Sequence, residues 1–200
     1  AEVSAAKMAF KCITTPFLPA NEGCFRPLHV VLSMGTVLSV IEPGSCSAWG
    51  LPFSTGADMI LKALVPAIPE KIPAAHFGDA CTLVIYGFDS RSGRPYISGD
   101  LMSSGGGWGG RPHEDGENDA MAMCDGDVRG ASVEVMETHF PLIVERCELR
   151  QDSGGPGKFR GGLGLVRTLR ALDEEMRFTS NIERGKCPPW GLFGGKEGAT

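Results

Sequence analysis

SVEVMETHFPLIVERCELRQDSGGPGKFRGGLG, running from Ser132 to Gly164, carries the clearest succession of structural signals in the chain. Ser132 supplies a side-chain oxygen where a helix would begin, and Glu134 and Glu137 place negative charge in its first turns. Pro141 stops that helix, because its ring disfavours the α region for the residue before it. An alternation follows, with Leu142, Val144, Arg146 and Glu148 on one face and Ile143, Glu145, Cys147 and Leu149 on the other, which predicts a strand. Asp152 to Gly162 is then a tight loop holding five glycines. Leu163 to Leu172 reads as a second strand.

Working outward, the first twelve residues read as the end of a helix, and Pro16, Pro19, Asn21 and Gly23 mark an irregular entry segment. Leu28 to Leu32 and Thr36 to Ile41, joined at Met34-Gly35, predict a hairpin. Ser54 or Thr55 can cap a helix from Gly56 to about Val65, with Ala57, Ile60, Leu61, Leu64 and Val65 on one stripe. Pro66, Pro69 and Pro73 forbid its extension. The almost wholly apolar run Cys81 to Phe88 predicts a central strand, turning at Asp89-Ser90-Arg91-Ser92-Gly93 into Pro95 to Met102. Ser103 to Gly130 is a long, glycine-rich, acidic loop, and Glu175 to Asn181 a last strand. The expected class is α+β: β-hairpins and a mixed sheet, a few short helices and long Gly-rich loops, in a single region spanning residues 1–200.

Composition narrows the function. A formal charge of −5 leaves no basic footprint for nucleic acid. No apolar run approaches the roughly 18 residues that span a bilayer, and no signal peptide opens the chain. Seven cysteines, an odd number without CxxC spacing, suit reduced thiols in a cytoplasm better than a disulfide framework. Glycine and proline, 28 and 14 residues, are clustered rather than spread, which means shaped loops rather than disorder.

Four stretches can carry chemistry. In Ser104 to Arg111, successive glycines can turn backbone N–H groups toward an anion, with Arg111 beside them; the same glycines equally suit a chain pressed against another backbone. His113, Glu114, Asp115, Glu117, Asn118 and Asp119, followed by Asp125 and Asp127, offer oxygen ligands for a hard cation, or simply a solvated acidic loop, and their spacing is not that of an EF-hand. Glu134 and Glu137, one helical turn apart, can act as general acid and base, or merely complement a helix N-terminus. Asp152 to Arg160 offers Asp152 and Ser153 as capping or positioning groups and Lys158 and Arg160 as cations; as a contact loop it needs no ligand. The candidate catalytic residues are therefore Glu134, Glu137 and Asp152. The candidate substrate or phosphate contacts are Gly106, Gly107, Arg111, His113, Asp115, Ser153 and Arg160. Ser153-Gly154 is not a GxSxG elbow, which disfavours a serine hydrolase. His29 and His139 read as structural, and His76 is open.

The DSGGPGKFRGGLG run, Asp152 to Gly164, resembles the C-terminal part of hydantoinase B/oxoprolinase-type subunits. Asn21 to Val30 (NEGCFRPLHV), Gly105 to Gly116 (GGGWGGRPHEDG), Glu183 to Gly195 (ERGKCPPWGLFGG) and the helix at Ala57 to Ile68 agree in the same order. The resemblance implies a B-type subunit of an ATP-dependent amidohydrolase, of which this would be the C-terminal portion. A separate A-type subunit would bind ATP and phosphorylate the oxygen of a cyclic amide, a hydantoin or 5-oxoproline. The B-type part would then complete hydrolysis in a cytoplasmic hetero-oligomer. It also implies a divalent metal, Mn, Zn or Mg, whose His/Asp ligands lie upstream, so no residue here is assigned to it. An ATP-dependent ketone carboxylase of the acetone or acetophenone type is the alternative enzyme. A third reading makes these residues a non-catalytic scaffold.

Overall fold

The computed structural model describes residues 2–44, 50–78, 81–98, 105–123 and 130–200. Helix α1 is Glu2–Thr14, α2 Gly50–Leu64 and α3 Val133–His139; the strands are β1 Thr82–Asp89, β2 Arg94–Ser98, β3 Leu142–Leu149, β4 Leu165–Ala171 and β5 Met176–Asn181. β2-β1-β5 form one sheet and β3-β4 a second, and every described pairing is antiparallel. The chain is α+β, and the apolar run expected to be central is indeed the middle strand.

α1 and α2 pack closely because their shared face is made of small residues. Ala5 and Ala9 on α1 meet Phe53, Ala57 and Leu61 on α2, and Ile72 closes the cluster. The spacing of four residues keeps each set on one stripe. α2 begins at Gly50, before the expected cap, so Ser54 and Thr55 lie inside it and Pro52 occupies its first turn, where the missing N–H matters least. Sequence-level capping at Ser54 or Thr55 is thus corrected.

A second core joins the two sheets: Ile85, Met136, Phe140 and Leu142 are buried together, with Leu83, Tyr96, Val144, Leu169 and Met176 around them. α3 starts as expected, Ser132 Oγ accepting from the Val135 N–H, and ends at Phe140 before Pro141. The β3–β4 ladder holds a bulge at Glu145, between Val144 and Arg146. Its open end at Leu149 and Leu165 carries the glycine loop, which is therefore the tip of a long hairpin.

The hairpin expected at 28–41 does not form. Residues 15–44 hold one short 3-10 turn, Glu22–Phe25, and a lone bridge between Thr36 and Ser39. Val31 and Val37 are 92% and 91% exposed, so nothing packs over these side chains, and an isolated two-stranded pair is marginal.

Candidate functional site

Three glycine-rich segments from distant parts of the chain meet at the tip of the β3–β4 hairpin. Residues 105–119 run beside residues 153–164, and the C-terminal residues 189–200 pack on the other side. Trp108 N–H donates to Glu117 O and Gly162 N–H to Trp108 O; Asp119 N–H donates to Leu163 O and Gly116 N–H to Arg160 O. Two acidic-loop side chains complete the lacing: Asp115 Oδ1 accepts from Arg160 N–H and Asn118 Oδ1 from Leu163 N–H, both at 2.7 Å. Lys196 N–H reaches Pro156 O, and Ala199 N–H reaches Ser153 O.

The glycines are there because backbone lies on backbone. A Cβ on Gly107 would stand 1.9 Å from Gly162 O, one on Gly162 1.8 Å from Glu117 O, and one on Gly116 1.9 Å from Trp108 O. Of the two uses open to Gly105–Arg111, close approach is the one this packing requires. Trp108 is an anchor within it, its indole N–H donating to Met121 O at 2.7 Å.

These segments enclose a cleft of about 970 Å³. Gly106, Gly107, Arg111, His113 and Ser153 line it, whereas Asp115, Arg160, Asp152, Glu134 and Glu137 do not. Arg111 is held by Glu114 and Glu117 at 2.6 and 2.9 Å. Ser153 is buried, donating to Arg150 O at 2.7 Å and accepting from Gly164 N–H at 2.9 Å. Ser153→Ala leaves both of those backbone groups without this partner and should lower stability by about 1–3 kcal/mol, read from the urea midpoint. Glu137 Oε1 accepts from Val144 N–H at 2.9 Å, tying α3 to β3. Glu134 is exposed, its carboxyl held below the usual range by its own backbone N–H and by Ser132. Asp152 sits exposed with φ 56° at the loop's entry. The two glutamates and Asp152 therefore do not line the cleft.

Beneath the cleft floor lies a cluster that the sequence reading missed. The floor is residues 74–78, whose N–H groups fan out: Ala74 to Gly110 O, Ala75 to Trp190 O, Phe77 to Gly107 O, His76 to the Asp58 carboxylate. Asp58 and His76 are each 2% exposed. Asp58 Oδ2 accepts from Arg184 Nη2, and Asp58 Oδ1 lies 3.8 Å from His76 Nε2, beyond hydrogen-bond length. Gly78 N–H donates to His76 Nδ1 at 2.9 Å, which leaves the neutral ring's proton on Nε2. Burial pushes the Asp58 carboxyl up to about 6 although Arg184 pulls it down, and burial together with Arg184 lowers His76 to about 4.

One face of α2 grips the C-terminal segment at three points. Thr55 Oγ1 donates to Glu183 Oε2 at 2.8 Å, Asp58 accepts from Arg184, and Lys62 Nζ lies 5.1 Å from the Trp190 ring centroid. Positions 55, 58 and 62 follow the helical repeat, so this stripe is legible as one face once α2 is placed. Among the described residues, outside which Asp125 and Asp127 lie, no group of three or more His, Cys, Asp or Glu is placed to hold a metal ion. Nor is any helix there long and apolar enough to cross a membrane. Cys12, Cys24, Cys147 and Cys187 are free thiols.

An α+β framework that presents a cleft walled by stacked glycine backbone is the class this geometry defines. The chain belongs to the hydantoinase B/oxoprolinase family, which it matches over residues 1–200. The caprolactamase subunit beta of Pseudomonas jessenii is 33% identical over 184 residues, covering 89% of this chain and 31% of that protein. The 5-oxoprolinase of Dictyostelium discoideum is 29% identical over 97% of this chain and 14% of its own length. Among solved structures, the ATP-dependent caprolactamase from Pseudomonas jessenii superposes with a TM-score of 0.78 at 28% identity, covering 85% of this chain and 30% of that one. A nucleotide-free acetone carboxylase shares the fold, with a TM-score of 0.74 at 19% identity over 90% of this chain and 24% of its own. The chain thus spans about a third or less of the length of these relatives.

Proposed function

We propose that these residues belong to the B-type subunit of an ATP-dependent amidohydrolase, which opens a cyclic amide after a partner component has phosphorylated it. The observation that carries the reading is the cleft, whose volume of about 970 Å³ suits a small heterocycle. Its walls are fixed by backbone contacts that admit no side chain. The relatives named for acting on caprolactam and 5-oxoproline support the cyclic amide as substrate class.

An amide carbon resists water because nitrogen shares its lone pair with the carbonyl. Moving the γ-phosphoryl of ATP to the amide oxygen, with release of ADP, removes that resistance. Water then adds to the ring carbon, the carbon–nitrogen bond breaks and nitrogen leaves with a proton. A second water releases phosphate and leaves a carboxylate. Pre-formed cations and N–H groups stabilise the charge that develops. In this reading Gly106, Gly107, Arg111, His113 and Ser153 form the substrate-facing wall, Asp115 and Arg160 hold the two glycine loops together, and ATP and any divalent metal are bound outside this chain. An A-type subunit completes a cytoplasmic hetero-oligomer.

Purified with its ATP-binding component, the full-length subunit should hydrolyse ATP only when hydantoin, 5-oxoproline or caprolactam is supplied. ATP hydrolysis that instead requires a ketone and bicarbonate would overturn the hydrolase in favour of a carboxylase. No response to either would leave the scaffold reading in its place.

A further inference from the structure

The cleft carries positive charge that the chain as a whole does not. Arg111, Arg150, Lys158, Arg167, Arg184 and Lys196 line it against two carboxylates, Glu70 and Glu183, in a chain of net charge −5. A recess lined by one sign of charge concentrates ions of the other. Several of these cations already have partners. Arg111 is paired with Glu114 and Glu117, Arg150 Nη1 donates to Thr200 O, and Arg167 acts on the Asp119 carboxyl.

Arg184 stands apart in how it is built. Its backbone is left-handed, φ 63°, a conformation a long side chain rarely adopts and one that gathers at binding sites. Its side chain is 10% exposed. Gly78, at φ 116°, makes room for it, since a Cβ there would lie 2.9 Å from Arg184 Cγ and Nε. Two unusual backbone positions therefore serve to place one guanidinium in the cleft wall. Yet among the described residues only Nη2 of its donors is bonded, to Asp58, and Nε is buried without a partner there. A purely structural arginine at this burial would use its planar fork on the carboxylate; this one keeps an edge unspent.

We propose that Arg184 is the anion-recognising residue of the cleft, taking an oxyanion of the ligand, carboxylate or phosphate, with Lys158 and Lys196 completing the positive lining. As a statement about which group of the substrate is held, this rests on the function proposed above; the binding it predicts can be measured without turnover.

Titration calorimetry at low ionic strength, with inorganic phosphate, 5-oxoproline and the uncharged caprolactam as probes, tests it on the full-length subunit. The wild type should bind at least one of the two anions. Arg184→Gln should weaken that anion at least tenfold and leave caprolactam unchanged. A loss confined to phosphate assigns the site to the transferred phosphoryl group, and a loss confined to 5-oxoproline assigns it to a substrate carboxylate. Arg184→Lys keeps the charge but not the fork, and should show a several-fold loss with a native near-UV spectrum; it decides the matter if the glutamine variant does not fold. Unchanged anion affinity in a folded Arg184 variant, or no anion binding by the wild type, overturns the proposal. Anion binding through Arg184 in a subunit that opens no cyclic amide would sink the functional reading and leave this one standing.

Discussion

Gly162→Ala is expected to destroy the cleft, with a loss of stability on the order of 4 kcal/mol or more. The new methyl would sit 1.8 Å from Glu117 O and 2.5 Å from its carbonyl carbon. Both are backbone atoms and cannot swing aside as a side chain would. Making room means separating the two glycine segments, and with them the bonds Gly162 N–H to Trp108 O, Trp108 N–H to Glu117 O and Asp119 N–H to Leu163 O. Gly93→Ala is the control. Gly93 has a positive φ, 68°, but nothing lies within 4 Å of its would-be Cβ, so only the conformational penalty of about 1 kcal/mol applies. Urea unfolding of the two variants side by side checks the contrast. Equal midpoints would mean that the glycines are not in backbone contact.

Asp58→Asn removes the charge beside the Arg184 guanidinium but keeps a side-chain oxygen to accept from Arg184 Nη2. It should expose a pH dependence that the wild type conceals. His76 has a folded pKa of about 4 against 6.5 when free, so the unfolded chain binds its proton first. Stability is therefore lost as pH falls from 6.5 toward 4, by up to roughly 3 kcal/mol. Asp58 runs the other way. With a folded pKa of about 6 against 3.8, it takes up its proton in the folded state first, and stability is gained as pH falls from 6 toward 3.8. The two windows overlap and the two groups nearly cancel. In Asp58→Asn only the histidine remains, facing Arg184, and the stability of the variant should fall steadily below pH 6.5 while that of the wild type stays flatter. Thermal melts at half-unit steps of pH would read this directly. Parallel profiles would show that the cluster does not titrate as described.

Local signals in the sequence carried the sheets and α3. The Ser132 cap, the Pro141 stop, the apolar run at β1 and the five glycines after β3 each act over a few residues, and each appears where periodicity and turn chemistry place it. The arm at 28–41 failed for the opposite reason. Its apolar and β-branched residues suit strands, but a ladder also needs something to cover one face, and Val31 and Val37 have nothing over them. At the site, the glycine stretches announced that backbone would come close to something without saying whether that was an anion or another strand. The Asp58–His76–Arg184 cluster was illegible because no spacing links its members: a helix, a floor segment and the C-terminal loop bring them together only in three dimensions. Arg184 lay inside the ERGKCPPWG run that carried the family resemblance, and its positive φ was the missing cue.

The most direct test of the account is the coupling between nucleotide and substrate. With the full-length subunit, its ATP-binding component and a cyclic amide, ADP and ring-opened product should appear one for one, neither without the other, and bicarbonate should make no difference. Ring opening in the absence of ATP, or ADP formation that requires bicarbonate and yields a carboxylated product, would contradict it.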